Sequence, residues 1–126
     1  MDFLAELAQQ LYERRHRAVV VPFRDCSGLD FQPTEQDCHA NVGHWCRIHP
    51  EQEPVRGWLV IEHLDRGYCR FVAHSVVGDQ NGRLLDLTPP GVAQRYPFLP
   101  HPYTGEEFLL LLSRRCLIHI DHRFRP

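Results

Sequence analysis

A cysteine, a histidine and an aspartate in the middle of the chain have the types and the order that nucleophilic catalysis requires. Cys38 begins a proline-free segment that predicts a helix, and a helix N-terminus lowers the pKa of a thiol placed there. His74 and Asp86 lie on two strand-like runs joined by a short turn. A histidine steadied by a carboxylate can take the proton of a thiol, and the thiolate can then attack a carbonyl carbon. The three residues therefore predict acyl transfer from an amide.

The register of the predicted hairpin puts the histidine and the aspartate on one face of the sheet. If residues 78–82 form the loop, Val77 lies opposite Arg83 and His74 lies directly opposite Asp86. Directly opposed residues have Cβ atoms about 4.5–5.5 Å apart, which is within reach of an imidazole–carboxylate hydrogen bond. A loop of even length would put the two side chains on opposite faces. We therefore expect Asp86 to fix the tautomer and orientation of His74.

Three further residues could complete the predicted site. Gln32 precedes Cys38 by six residues, and its side-chain N–H could join the backbone N–H of Cys38 in an oxyanion hole. Asn41 and Trp58 are candidates for contact with the substrate. Asn41 could instead cap a helix or face solvent, and Trp58 also suits a core position beside a glycine that allows close backbone approach.

The elements that must hold these residues follow from the apolar pattern and the turn residues. In chain order they are a helix from residue 3 into the basic run 14–17, a strand over 18–23, a helix over 38–49, strands over 55–63, 68–77 and 83–87, a helix over 104–115 and a strand over 116–120. A proline-rich segment before residue 102 is expected on the surface. The prediction is an α+β domain in which the N-terminal helices pack on an antiparallel β-meander.

The order of the three residues resembles that of the papain-like thiol hydrolases, including the transglutaminase-like and NlpC-type branches. Those enzymes carry an oxyanion glutamine six residues before the nucleophile, as Gln32 precedes Cys38 here. The resemblance implies a papain-like fold and an activity among peptidases, amidases, transglutaminases and glutamine deamidases. His39 stands where papain-type proteases have a tryptophan. A group of small bacterial proteins is similar over about residues 32–90, in the words Cys38-His39-Ala40-Asn41-Val42, Gly57-Trp58, Ala73-His74-Ser75-Val76-Val77 and Leu85-Asp86-Leu87-Thr88-Pro89.

A rival nucleophile lies earlier in the chain. The word Asp25-Cys26-Ser27-Gly28-Leu29 resembles one in NlpC-type peptidoglycan peptidases, whose cysteine opens the catalytic helix. Gly28 and Pro33 disfavour a helix that continues from residue 26. We therefore prefer Cys38 and keep Cys26 as the alternative.

The composition excludes several classes of function. The chain has 126 residues, and we expect residues 1–126 to form a single domain. All 14 basic residues are arginine, so Schiff-base and other lysine chemistry is impossible. The net charge of −2 argues against nucleic-acid binding, and no apolar run reaches the roughly 18–20 residues that span a membrane. Five cysteines without a recognisable secretory signal predict reduced thiols in the cytoplasm.

Two alternatives to catalysis stay open. The hydrogen bond between His74 and Asp86 could instead only stabilise the hairpin of a non-catalytic interaction module. Cys46 and His49 could form one ligand pair of a small zinc-binding domain, but a second pair is not apparent, and we expect no metal. The preferred interpretation is a cysteine-dependent amide hydrolase or acyl transferase that needs no cofactor and acts on an amide of a protein or peptide.

Overall fold

The computed structural model describes residues 2–26, 33, 37–89 and 96–124. These residues form three α-helices and five strands, so the predicted α+β class is confirmed. The elements are α1 (Phe3–Arg14), α2 (Cys38–Ile48), β1 (Glu53–His63), β2 (Tyr68–Gly78), β3 (Leu84–Leu85), β4 (Phe98–Pro100), α3 (Gly105–Arg115) and β5 (His119–Arg123). No helix in these ranges has the length and apolar character needed to cross a lipid bilayer.

The strands form one antiparallel sheet built around the long hairpin of β1 and β2. These two strands pair along their whole length, from Glu53 opposite Gly78 to His63 opposite Tyr68. β4 pairs with the other edge of β1. β3 and β5 share the remaining edge of β2, where β3 pairs with its C-terminal end and β5 with its N-terminal half. The sheet is therefore wider than the predicted three-stranded meander.

The largest buried cluster joins α1 and α3 to the sheet. Leu7 and Leu11 of α1 and Phe108 of α3 pack with Trp58 and Phe71 of the central hairpin. Burial of a side chain of this size contributes about 1.5–3 kcal/mol to stability. This cluster holds β1 and β2 in place, and these strands in turn carry the candidate site.

A second cluster attaches α2 to the C-terminal end of β2. It contains Val42 and Trp45 of α2, Val77 of β2, and Leu87 and Cys26 from the neighbouring loops. On the face of α2 that packs against the sheet, Val42 and Trp45 are buried and Cys46 is partly buried, whereas Ile48 is 50% exposed. Packing of this face directs the first turn of α2, which begins at residue 38, toward β2.

Three elements near the ends of the chain differ from their predictions. Residues 18–23 form isolated bridges at Val19 and Phe23 rather than a strand. β4 lies within the predicted surface segment, because Phe98 pairs with β1 and is only 1% exposed although prolines surround it. The last strand begins at His119 rather than at 116, since Cys116 has a φ of 49° that ends α3 and turns the chain.

Candidate active site

The hairpin of β2 and β3 brings the predicted histidine and carboxylate into contact. His74 Nε2 lies 2.7 Å from Asp86 Oδ2. The two side chains are 12% and 13% exposed, respectively, so water screens the pair only in part. The hydrogen bond expected from the sequence is therefore present, and it leaves His74 Nδ1 available to another group.

The register that produces this contact is displaced by two positions from the predicted one. Val77 pairs with Leu85, whereas the predicted loop placed Arg83 opposite Val77. A displacement of two residues returns every side chain to the same face of the sheet. His74 and Asp86 are consequently diagonal rather than direct neighbours, and their side chains still meet.

The displacement arises from the loop that joins β2 to β3. Asp79 Oδ1 accepts hydrogen bonds from the backbone N–H groups of Asn81 and Arg83. Gly82 adopts a left-handed backbone conformation with a φ of 80°, which glycine tolerates at little cost. These contacts close a five-residue loop that begins one residue later than the predicted loop.

Asp86 is held from both of its carboxylate oxygens and from its backbone. Oδ1 accepts the backbone N–H of Thr88 at 3.0 Å, while Oδ2 faces His74. The backbone N–H of Asp86 donates to the Pro22 carbonyl, and the Asp86 carbonyl accepts from the Arg24 N–H, both at 2.9 Å. Because these bonds fix the carboxylate, it can orient His74 without moving itself.

Cys38 is the first residue of α2, and the imidazoles of His39 and His74 lie beside its sulfur. Burial raises the pKa of this thiol, but hydrogen bonding to the two imidazoles and their charges outweigh burial and lower the pKa to about 6. A thiol with this pKa is largely thiolate at neutral pH. The thiolate is the reactive form of cysteine.

The charge of His74 complements that of Cys38. Burial lowers the pKa of His74, but the hydrogen bonds to Asp86 and Cys38 outweigh burial and raise the pKa to about 9. Since Nε2 is bonded to Asp86, Nδ1 is the ring nitrogen that is available to the sulfur. Between these two pKa values, Cys38 and His74 form a thiolate–imidazolium pair.

A second group of polar side chains lies beside Cys38, and none of its three members was predicted from the sequence. His39 Nδ1 lies 2.6 Å from Ser75 Oγ. Arg56 Nη1 donates to Ser75 Oγ and to the His39 carbonyl oxygen, each at 3.1 Å. The hairpin register contains the signal, because it pairs Arg56 directly with Ser75, the neighbour of His74.

The remaining sequence candidates have different positions in the structure. Asn41 is 6% exposed, and its Nδ2 donates to Thr88 Oγ1 at 3.2 Å, so it contacts the loop that follows Asp86. Trp58 is 0% exposed and donates from Nε1 to His101 Nδ1, which places its ring in the core rather than at a surface that a substrate could reach. Gln32 lies outside the described residues.

Cys26 has none of the features that activate Cys38. It is buried in the cluster that attaches α2, and its sulfur faces the Arg24 carbonyl at 3.7 Å. Burial, the largest influence on this thiol, raises its pKa. A buried thiol of raised pKa is a poor nucleophile, so the geometry favours Cys38 over Cys26.

The described residues give no support to the zinc alternative. In these ranges no three His, Cys, Asp or Glu side chains gather in a way that could hold a metal ion. His49, one member of the candidate ligand pair, stacks against Trp45 with ring centroids 4.1 Å apart and lies 3.7 Å from Glu51.

Comparison of the chain with protein-family models, with curated proteins and with solved structures finds no match. The resemblance to papain-like thiol hydrolases therefore rests on the order and spacing of Gln32, Cys38, His74 and Asp86 and on the residues around them.

Proposed function

We propose that this protein is a cysteine-dependent amide hydrolase or acyl transferase. Cys38 is the nucleophile, His74 is the general acid and base, and Asp86 is the residue that positions His74. The observation that carries the proposal is the position of His74, which lies 2.7 Å from Asp86 and close enough to the Cys38 thiol to lower the pKa of that thiol. A nucleophile bonded to a base that a third group orients is the arrangement expected for covalent catalysis.

The proposed reaction has two halves. The Cys38 thiolate attacks the amide carbonyl carbon and forms a C–S bond, while the carbonyl electrons move to oxygen. The intermediate collapses when His74 donates its proton to the leaving nitrogen and the C–N bond breaks, which leaves a thioester on Cys38. Water or an amine then loses a proton to His74, attacks the thioester and releases the thiolate. The backbone N–H groups at the start of α2, together with Gln32, would stabilise the oxyanion.

We also propose that the α+β fold of this protein is of the papain-like type. In a papain-like hydrolase, the cysteine opens a helix that packs on an antiparallel sheet carrying the histidine and its partner. Cys38 as the first residue of α2, His74 on β2 and Asp86 directly after β3 support this assignment. The proposed substrate is a protein or peptide amide. The proposed compartment is the cytoplasm, which suits five cysteines that are all free.

Acylation by p-nitrophenyl acetate tests the proposed function. The Cys38 thiolate should take the acetyl group and release p-nitrophenolate, which gives a burst of one equivalent and a thioester that mass spectrometry locates on Cys38. His74→Ala should slow acylation by roughly 10²–10⁴-fold, and Cys38→Ser should abolish the burst. Cys116→Ser is the matched control, because Cys116 is an exposed free thiol on another part of the molecule.

A different pattern of acetylation would indicate a non-catalytic module. If acetyl groups distribute over the thiols according to their exposure, and His74→Ala has no effect, the proposed function is wrong. The bond between His74 and Asp86 would then serve only to hold the hairpin of a non-catalytic module.

A further inference from the structure

Arg56 is a partly buried cation beside Cys38 that no carboxylate neutralises within the described part of the chain. It lies on β1 opposite Ser75, and its side chain makes no ion pair in that part of the molecule. The titratable groups near it are the thiols of Cys46 and Cys38. Burial of an unpaired charge is costly, and this cost favours a functional role for the guanidinium of Arg56.

The guanidinium is fixed in place by one of its three nitrogens. Nη1 uses both of its N–H groups, one on the His39 carbonyl and one on Ser75 Oγ. The stem of Arg56 passes close to α3, since a Cβ added to Gly105 would lie 3.4 Å from Arg56 Cγ. Nη2 lies close to α2, since a Cβ added to Gly43 would be 4.0 Å from it. The side chain is therefore held between two helices.

The other two nitrogens of Arg56 are free to bind a ligand. Nε and Nη2 have no hydrogen-bond partner among the described residues, and no fully buried side-chain nitrogen in those residues lacks a partner. Nε and Nη2 must therefore reach solvent. Parallel N–H groups of a guanidinium match the two oxygens of a carboxylate, and an immobilised guanidinium loses little conformational entropy on binding.

We propose that Arg56 binds a carboxylate of the substrate beside the carbonyl that Cys38 attacks. The hydrogen bond from Nη1 to the His39 carbonyl oxygen and the approach of Nη2 to Gly43 place the guanidinium along the first turns of α2, the helix that begins at Cys38. This inference rests on the proposed function and names its substrate class, which is acyl compounds with a carboxylate near the reacting carbonyl. Arg56 is in this view a specificity-determining residue.

Two alkylating reagents of similar size but different charge test this inference. Iodoacetate and iodoacetamide both form a C–S bond with a thiolate and release iodide, but only iodoacetate carries a carboxylate. In the wild-type protein the ratio of the iodoacetate rate to the iodoacetamide rate, resolved by peptide mass spectrometry, should be about tenfold higher at Cys38 than at Cys116. Arg56→Gln should lower this ratio at Cys38 toward its value at Cys116, while Arg56→Lys should retain part of the preference.

Competition in the wild-type protein keeps the test decisive if Arg56→Gln fails to fold. Succinate should slow the alkylation of Cys38 by iodoacetamide, and succinamide at equal concentration and ionic strength should not. Equal slowing by both compounds, or an unchanged ratio in Arg56→Gln, would overturn the inference. The result is separable from that of the proposed function, because alkylation requires only a reactive thiolate and not turnover.

Discussion

The reactivity of Cys38 depends on two neighbours that oppose the effect of burial. Burial alone disfavours a thiolate, whereas His39 and His74 both hydrogen-bond to the sulfur and lower the pKa of the thiol to about 6. The raised pKa of His74, about 9, means that the same ring stays charged well above the pH at which the thiolate forms. The two shifts define a window of pH in which the pair is ionised.

This window predicts the pH dependence of thiol chemistry. The rate of Cys38 alkylation by iodoacetamide should rise through the pKa of about 6, below the range of an ordinary thiol near ~8.5. Acyl transfer should follow a bell that rises near 6 and falls near 9, since it needs both the thiolate and the imidazolium. Peptide-resolved mass spectrometry across pH measures the first profile, and release of p-nitroaniline from p-nitroacetanilide, whose leaving nitrogen needs that proton, measures the second.

Cys69 provides an internal control for that experiment. Burial raises its pKa to about 11, so it should stay almost unlabelled while Cys38 reacts. Uniform labelling of Cys38 and Cys116 at every pH would contradict the prediction.

His39 should contribute to thiolate formation without acting as the main base. Its removal in His39→Ala deletes one hydrogen bond to the Cys38 sulfur, and a hydrogen bond to a charged group is worth about 1.5–3 kcal/mol. The acid limb of the Cys38 alkylation profile should therefore move up by about one pKa unit. The alkaline limb of acyl transfer should stay in place, because it reports His74.

Ser75→Ala is the matched variant for His39, since it removes the side-chain partner of the ring and keeps the ring itself. It should move the acid limb in the same direction by a smaller amount. An alkaline limb that moves in His39→Ala would show that His39 shares the acid–base role.

The contact between His74 and Asp86 could be predicted from the sequence because a register displaced by two residues keeps both side chains on the same face of the sheet. The Arg56–Ser75–His39 group could not be found from residue types alone. Serine and arginine carry no pattern of their own, and only the register of the β1–β2 hairpin places Arg56 opposite Ser75.

At the scale of elements, the site depends on how α2 is attached to the β3 end of the sheet. Asn41, one turn after Cys38, donates to Thr88 Oγ1, and the Thr88 N–H donates to Asp86. The helix that carries the nucleophile is thus connected to the loop that orients the base. Packing of Val42 and Trp45 supplies the apolar part of the same attachment.

A double-mutant cycle of Asn41 and Thr88 measures this connection. Asn41→Ala should destabilise the protein by about 1–3 kcal/mol, because it leaves buried polar groups without a partner. The coupling energy with Thr88→Val, obtained from urea unfolding, should be about 0.5–1.5 kcal/mol. Additive effects of the two substitutions would mean that the bond contributes nothing to the attachment.

The edges of the sheet were the least predictable elements. β4 has three residues, Phe98–Pro100, and prolines normally indicate a loop or an edge position. Its pairing with β1 depends on Gly57, since a Cβ there would collide with the Leu99 carbonyl oxygen and the Phe98 ring. Such a close approach is a tertiary contact that no local pattern contains. The long strands β1 and β2 carry enough alternation and turn chemistry to be recognised.

Across the whole molecule, His101 connects β4 with β1 and α3. It follows β4, and its backbone N–H donates to the Arg56 carbonyl of β1. Its ring accepts the Trp58 indole N–H at 3.1 Å and contacts Phe108 of α3. An imidazole that accepts at Nδ1 must be neutral, and burial lowers the pKa of His101 to about 4.

This neutral histidine predicts a loss of global stability in acid. In the unfolded chain, histidine has a pKa of about 6.5, so between that value and about 4 the unfolded state binds a proton that the folded state does not. Stability should therefore fall as the pH falls through this range, by at most about 3 kcal/mol from His101.

The variant His101→Asn tests this prediction, because its Oδ1 can accept the indole N–H but does not titrate in this range. Urea unfolding should show a smaller acid loss in the variant than in the wild type, despite its lower stability at neutral pH. The carboxylates, such as Asp121, contribute equally to both proteins and cancel in the difference. Parallel acid losses would mean that His101 accepts a proton in the folded protein, and the Trp58 bond would then not hold it neutral.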